Sequence, residues 1–246
     1  MSEVFDSAKE TLDDLMCGYE LIQTKSGFRF SLDAVLLAHF TGMKKNDIAA
    51  DFCSGSGVVA FLVLAHKAPC KVTCIEIQES LCLLIERSAK LNSVQDKISA
   101  VCDNVECAHE ILGYESQDTV TCNPPYLKAD TGKISGDHAL NLAKREVEMN
   151  LEGAVRAAAK VLKNKGRFSV VHLAQRADEL FTLMAKYNLP VKRARLVQPD
   201  RNSEPNLILA EGVKNASQGV KWLPALCIHE NGQYTKELKE IYGLEQ

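Results

Sequence analysis

Apolar and polar residues along this chain change period in a regular rhythm, and that rhythm predicts the elements. Asp47 to Phe52 reads as a buried strand, and the apolar run Val58 to Ala65 that follows a glycine turn reads as a helix. Lys71 to Ile77 predicts a strand, and Ser80 to Leu91 a helix with Leu81, Leu84, Ile85 and Leu91 on one face. Ile98 to Cys102 predicts a third strand, and a short helix from about Asn104 leads to a fourth at Asp118 to Cys122. A long helix with Leu151, Val155, Ala158 and Leu162 on one face ends near Leu162, and Lys165-Gly166 turns into the strand Arg167 to Leu173. Ala177, Leu180, Phe181 and Met184 mark another helix. The strands Val191 to Val197 and Asn206 to Glu211 flank a proline-bounded turn region and are expected to pair antiparallel. Strand and helix in alternation predict an open α/β sheet. Right-handed crossovers then bring the strand ends carrying Gly55, Glu76, Asp103 and Asn123 to one rim.

The ends of the chain read differently. Residues 1–17 are polar, with acids at Glu3, Asp6, Glu10, Asp13 and Asp14, and predict a mobile arm or a short helix. Alternation from Tyr19 to Phe30 around Ser26-Gly27 predicts a small hairpin. Ser31-Leu32-Asp33 then caps a helix with Leu32, Val35, Leu36 and Phe40 on one face, a piece placed to fold over the sheet's rim as a lid. The expected organisation is one domain: an arm, hairpin and lid helix over residues 1–45, and the sheet domain over 46–246.

Composition narrows the class without naming a function. With 246 residues, 46% hydrophobic and 25% charged, the chain can bury a core unaided by disulfides or metal. Nine cysteines, mostly in apolar segments, fit reduced thiols; Cys70/Cys74 and Cys102/Cys107 have no zinc spacing, so no metal is expected. No apolar run is long enough for a membrane span and no signal peptide is visible, so a soluble cytoplasmic protein is expected. The net charge of −3 hides an asymmetry. Residues 156–201 hold eleven Lys/Arg against three acids, a net +8, which leaves −11 for the rest. Such a block is either a phosphate-attracting face or a set of solvated helix surfaces.

Two motifs carry the candidate chemistry. Asp51-Phe52-Cys53-Ser54-Gly55-Ser56-Gly57 is a strand-to-helix turn in which glycine lets the backbone approach a ligand. Gly55 to Ala60 also satisfies the dinucleotide pattern G-x-G-x-x-A, with Glu76 at the distance for a ribose, so a nicotinamide oxidoreductase stays in view. Asp51 favours S-adenosylmethionine, because its carboxylate suits a positively charged methionine moiety and would repel a pyrophosphate. Asp103 can accept from the cofactor's adenine amine. Each acid alone also reads as a helix cap; three at successive strand ends point to a cofactor. The second motif is Asn123-Pro124-Pro125-Tyr126. Two prolines leave rigid carbonyls between an amide and an aromatic ring, which suits gripping a planar NH2 group. An ordinary proline turn is the plain alternative.

In this order and spacing, Asp51 to Gly57, Glu76, Asp103 and Asn123 to Tyr126 resemble the amino-methylating NPPY type of class I S-adenosylmethionine-dependent methyltransferases. Gly27 to Ala38, Leu196 to Pro199 and Leu207 to Gly212 more closely resemble the bacterial tRNA1(Val) adenine-N6 methyltransferase family. The similarity runs from about Tyr19 to the C-terminus. Gln198 departs from the histidine frequent there, and the loop after the NPPY motif also differs. The resemblance implies a Rossmann-like sheet of seven strands with the last antiparallel, helices on both faces and a hairpin-and-helix lid. It implies cofactor contacts from Arg29 and Phe30 in the lid, from Asp51, Cys53, Gly55, Ser56 and Gly57, from Glu76 and Ile77, and from Asp103 and Asn104. Asn123 and the Pro124 carbonyl would hold an adenine amine in tRNA beside the anticodon, with Pro125 rigidifying the turn and Tyr126 stacking on the base. Lys128 and Lys133, in a flexible loop expected to order on substrate, and Arg193 and Arg195 are candidate phosphate contacts. His39 and His66 read as packing residues, and His138 lies beside the loop. A glutamine N5-methyltransferase uses the same grip but usually carries a larger N-terminal helical domain. A nicotinamide enzyme would leave the NPPY motif without a purpose. A non-catalytic cofactor binder and a DNA-modifying enzyme are the remaining readings, and no target-recognition domain for DNA is visible.

Overall fold

A computed structural model describes residues 5–26, 30–126 and 151–244. Its centre is a ten-stranded sheet. The strands β3 (Ile48–Phe52), β4 (Lys71–Glu76), β5 (Ile98–Cys102), β6 (Gln117–Cys122), β7 (Leu162–Leu173), β8 (Val191–Asp200) and β9 (Leu207–Val213) form its core in the spatial order β5-β4-β3-β6-β7-β9-β8. β9 runs antiparallel between β7 and β8, while the others run parallel. The expected seven-stranded arrangement is therefore present, but the sheet is wider. β10 (Lys221–Trp222), β11 (Leu226–Glu230) and β12 (Gln233–Tyr234) extend the β8 side. Two of these are two-residue strands, too short to leave an alternating pattern in the sequence.

Helices cover both faces. On one, α1 (Leu32–Phe40), α2 (Val58–Lys67), α3 (Glu79–Leu91) and the C-terminal α7 (Lys236–Tyr242) pack on Ala49, Val72, Cys74, Val171 and Leu209. On the other, α4 (Ala108–Leu112), α5 (Leu151–Val161) and α6 (Ala177–Lys186) pack on Phe52, Ile75, Val120, Phe168 and Val170. Alternate residues of each strand thus feed two separate cores, as a pleated strand buried on both sides requires. α2 is apolar from Val58 to Leu64, all of them buried, because it lies between α1 and the sheet.

The N-terminal hairpin differs from the expected one. β1 (Glu10–Asp14) pairs antiparallel with β2 (Glu20–Thr24), so its turn falls at residues 15–19 and the acidic arm contributes a strand. The buried Glu10 explains why the charge pattern misled. Arg87 of α3 grips both its carboxylate oxygens at 2.7 Å and holds the carboxyl below the usual range. Ser88 Oγ accepts from Ile22 N at 3.0 Å, and Asn92 bonds both backbone groups of Glu20. The hairpin is docked on α3.

α1 shares the core of the sheet domain through Val35, Leu36 and Phe40. Its carboxyl end is fixed by a buried polar cluster on the same face. Glu211 of β9 accepts from Gly42 N at 2.5 Å and Ser169 Oγ at 2.9 Å, and pairs with Arg193 at 3.2 Å. Arg193 donates to the Phe40 carbonyl at 2.5 Å and lies 4.5 Å over that ring. The next residue, Gly212, has no room for a side chain: a Cβ there would sit 2.4 Å from the Leu189 carbonyl oxygen and 2.5 Å from Met184 Cε. Gly212→Ala is expected to cost about 1–3 kcal/mol of stability, the range for overpacking, read as a lowered urea midpoint at unchanged slope. A midpoint equal to that of the wild type would show that β9 and the 184–189 turn can separate freely.

No disulfide joins any of the nine cysteines. Among the described residues, no helix is long and apolar enough to cross a membrane.

Candidate active site

The site is built where β3, β4, β5 and β6 end side by side. Asp51 is the penultimate residue of β3 and is fully enclosed, at 1% exposure. Its register partner on β6 is Thr121, whose hydroxyl donates to Asp51 Oδ1 at 2.6 Å. Its other oxygen, Oδ2, is buried with no hydrogen-bond partner. Burial pushes this carboxyl up to about 7; the Thr121 bond opposes the shift, and the neighbouring Glu76 charge adds to it. An acceptor buried without a donor costs stability, and such a group at a strand end marks a place for a cationic or donor ligand.

The glycine turn is held by Glu76. Gly55 N donates to Glu76 Oε2 at 2.9 Å and Gln78 N to Oε1 at 3.1 Å, so the carboxylate ties the β3 turn to the end of β4. Burial raises the Glu76 pKa, against these two backbone bonds. Each oxygen retains a lone pair for a further donor, such as a ribose hydroxyl. Gly57 opens α2 at φ +86°, where a side chain is strained, and a Cβ would meet Ile85 Cγ1 at 3.0 Å. Cys53 holds φ +55°, and its hydrogen bond with Cys122, together with burial, raises its thiol pKa well above the ordinary value. Ser56 is buried in the turn.

Ile77, 41% exposed, leaves an apolar surface at the rim beside Glu76. Asp103 and Asn104 are exposed just past β5. Asp103 N donates to the Glu76 carbonyl at 3.1 Å, and Asp103 Oδ1 accepts from Asn104 N at 2.6 Å. Asn104 caps the following turn of 3-10 helix by accepting from Glu106 N. The cap reading and the rim reading of Asn104 therefore coexist.

Asn123 to Tyr126 leave β6 with Asn123 half-buried, Pro124 buried, Pro125 exposed and Tyr126 half-buried. Tyr126 is clamped on three sides. Its hydroxyl donates to Asp33 Oδ2 of α1 at 2.5 Å and lies 3.1 Å from Asn123 Oδ1. Its ring meets His172 edge-on, with centroids 5.4 Å apart, and its carbonyl accepts from Arg176 at 3.3 Å. Glu179 holds Arg176 through two bonds, at 2.8 and 2.7 Å. His172 is buried at the end of β7; its Nδ1 accepts from Leu173 N at 2.8 Å, which leaves the proton on Nε2. Burial, together with the Arg176 charge, lowers its pKa to about 4, so the ring beside Tyr126 is neutral.

The rim unites Asp51, Cys53, Gly55, Ser56, Gly57, Glu76, Ile77, Asp103, Asn104 and Asn123 to Tyr126. Phe30, two residues before α1, donates its N–H to the buried Gln23 at 2.9 Å and packs against the core that α1 shares. Arg193 and Arg195 are not brought there. They lie in the amino-terminal half of β8, Arg193 locked to Glu211 and Phe40, and Arg195 to Glu237 at 2.6 Å and the Pro224 carbonyl at 2.8 Å. The basic block as a whole is largely paired, with Arg156–Glu106, Lys163–Asp118 and Lys186–Glu152 among its bridges. Arg29, Lys128, Lys133, His138 and the loop after Tyr126 lie outside the described residues. Asp33, Thr121, His172 and Arg176 were not singled out from the sequence as site residues; Asp33 reads there as part of a helix cap. Ser31 does occupy the cap position of α1, yet makes no side-chain capping bond.

A sheet of this order, with β9 inserted antiparallel and acids on successive strand ends, is the architecture of class I methyltransferases. The chain belongs to the methyltransferase small domain family, whose family model matches residues 32–188. Among curated proteins it is similar to the tRNA1(Val) (adenine(37)-N6)-methyltransferase of Photobacterium profundum, 21% identical over 86% of this chain and 88% of the relative. Solved structures that share the fold include the following two. A predicted O-methyltransferase from Agrobacterium tumefaciens superposes with a TM-score of 0.68 at 20% identity, over 86% of this chain and 95% of the other. The geranyl diphosphate C-methyltransferase of Streptomyces coelicolor, in complex with Mg2+, geranyl diphosphate and S-adenosyl-L-homocysteine, does so at 0.57 and 12% identity, over 74% and 76%.

Proposed function

We propose that this methyltransferase transfers a methyl group from S-adenosylmethionine to N6 of an adenine in tRNA, beside the anticodon. The observation that carries the reading is the juxtaposition of Asp51 and the NPPY turn. A buried carboxylate oxygen without a donor lies on the strand next to the one that leads into Asn123, so a cationic cofactor and a planar amine have adjoining places. Asp51 would take the cofactor's ammonium group, Glu76 its ribose, and Ile77 with Asp103 its adenine. Bound there, S-adenosylmethionine supplies an electrophilic methyl group.

The remaining chemistry belongs to the protein. Asn123 Oδ1 and the Pro124 carbonyl each accept one hydrogen of the adenine amine and draw its lone pair out of ring conjugation. The proton that the nitrogen sheds as it becomes positively charged passes by way of these two acceptors to solvent, with S-adenosylhomocysteine as the other product, so no strong base is required; His172, whose Nδ1 lone pair is taken by Leu173 N, and the protonated Tyr126 offer none. Orientation of an attacking pair can supply on the order of 7–11 kcal/mol, and stacking of the base on the Tyr126 ring about 1–3 kcal/mol more. A base in an anticodon loop costs little to splay out. The name of the Photobacterium relative, adenine 37 of tRNA1(Val), sets the expected substrate. In parallel incubations with labelled S-adenosylmethionine, label is expected in total tRNA. Label in protein alone would replace this reading with methylation of a glutamine side-chain amide, which the same grip fits.

A further inference from the structure

The lid helix is bolted to the sheet at its carboxyl end by Arg193 and Glu211, and its first turn carries a second attachment of another kind. Asp33 Oδ2 stands 2.5 Å from the Tyr126 hydroxyl, across 93 residues of sequence. That hydroxyl has one proton and two neighbours, Asp33 at 2.5 Å and Asn123 at 3.1 Å. Only one of them can receive it. The carboxylate is the shorter and stronger acceptor, since bonds to charged groups are about twice as strong as neutral ones. Left as two facing acceptors, the phenol oxygen and the Asn123 amide oxygen would repel at 3.1 Å. Turning the amide about its terminal bond exchanges NH2 for O in nearly the same volume and converts the contact into an N–H···O bond, with the phenol as acceptor.

Resting on the function proposed above, we infer that Asp33 is a positioning residue for methyl transfer: it takes the Tyr126 proton, and Tyr126 thereby holds the Asn123 amide with Oδ1 turned away from the phenol, free for the substrate amine. The chain of contacts is Asp33 carboxylate, Tyr126 hydroxyl, Asn123 NH2, and each member satisfies the next. Burial and the adjacent Asp33 charge raise the Tyr126 pKa, so the phenol keeps its proton and the relay keeps its direction. The clamp on the rest of Tyr126, His172 on its ring and Arg176 on its carbonyl, leaves the hydroxyl no other described partner to turn to. The arrangement also gives the lid helix a role apart from covering a cofactor. Its position reports directly on the group that grips the substrate.

The test is a double-mutant cycle of Asp33→Ala and Tyr126→Phe, read by kinetics and by the side-chain amide NMR signals of Asn123, assigned through their loss in Asn123→Asp. Asp33→Ala is expected to lower kcat about 10- to 100-fold, the scale of a misplaced reacting group, with little change in KM for S-adenosylmethionine. In the Tyr126→Phe background the same substitution should add less than about twofold, because the residue it acts through is gone. Asp33→Asn keeps an acceptor oxygen and should recover part of the loss. The Asn123 amide signals should move in both single variants of the relay. Additive losses, a raised KM for the methyl donor as the main effect, or Asn123 signals indifferent to Asp33 would overturn the inference. If the wild type methylates no RNA while the Asn123 signals still respond to Asp33, the functional reading fails and the relay stands.

Discussion

Asn123→Ala is expected to lower the rate of methyl transfer at saturating cofactor by about 10²- to 10³-fold, the loss typical when one oriented polar group that acts in a transition state is removed. The reason is local. Asn123 follows β6 between the buried Cys122 and Pro124, so its backbone is fixed on both sides while its half-buried amide keeps access to a ligand. Alanine removes the acceptor that draws the amine's lone pair out of conjugation, and Pro124 alone offers a single carbonyl. Cofactor binding should be nearly unaffected, since Asp51, Gly55 and Glu76 are held by Thr121 and by backbone bonds that do not involve Asn123. Calorimetry with S-adenosylmethionine and single-turnover methylation separate the two effects. Unchanged turnover would reduce the NPPY stretch to a proline turn.

Asp51→Asn should act on the other half of the site, and in opposite directions on binding and stability. Truncating one partner of a buried charge pair costs about 2–5 kcal/mol of affinity, so cofactor binding is expected to weaken roughly 30- to several-thousand-fold. The wild type should also show a pH dependence that the variant lacks. With the free carboxyl titrating at about 7, a cationic ligand that needs it ionised loses affinity as pH falls below that value, by about tenfold per unit. Stability runs the other way. The folded pKa lies above the value of about 3.9 in an unfolded chain, so the carboxyl's contribution is fully present below about pH 4 and is lost as pH rises toward 7. Relative to Asp51→Asn, the cofactor-free wild type should lose about 1 kcal/mol per pH unit across that window and level off above it. Urea unfolding of both proteins at a series of pH values measures the difference. A constant difference from pH 4 to 8 would show that Asp51 is not the strained acceptor its burial makes it.

Much of the site was legible because its chemistry is local in sequence. A glycine turn after a buried strand, acids at successive strand ends and two prolines after a fourth strand each announce themselves within about ten residues, and alternation of strand and helix then assembles them at one rim. What stayed hidden depends on distant partners. Glu10, Asp13 and Asp14 made a strand look like a polar arm, because nothing near them shows that Arg87 neutralises Glu10. The charge of Arg193 is visible in the sequence and makes it a candidate phosphate contact, whereas its partners in the fold, Glu211 and the Phe40 ring, are not visible there. Asp33 passed for a cap residue, since its partner Tyr126 lies on another element altogether. The family resemblance read in the sequence at Leu207 to Gly212 gains a physical sense from the fold: Glu211 bolts α1 and Gly212 admits the Leu189 backbone.

In the function proposed here the NPPY grip presents an adenine amine to a methyl donor held at Asp51. This is tested most directly by incubating tRNA that lacks the modification with the protein and S-adenosylmethionine, and digesting it for nucleoside analysis by mass spectrometry. The expected product is N6-methyladenosine at an adenine beside the anticodon, absent with Asn123→Ala. A methyl group on a different atom or base, or none on tRNA while a protein glutamine is methylated, would contradict it.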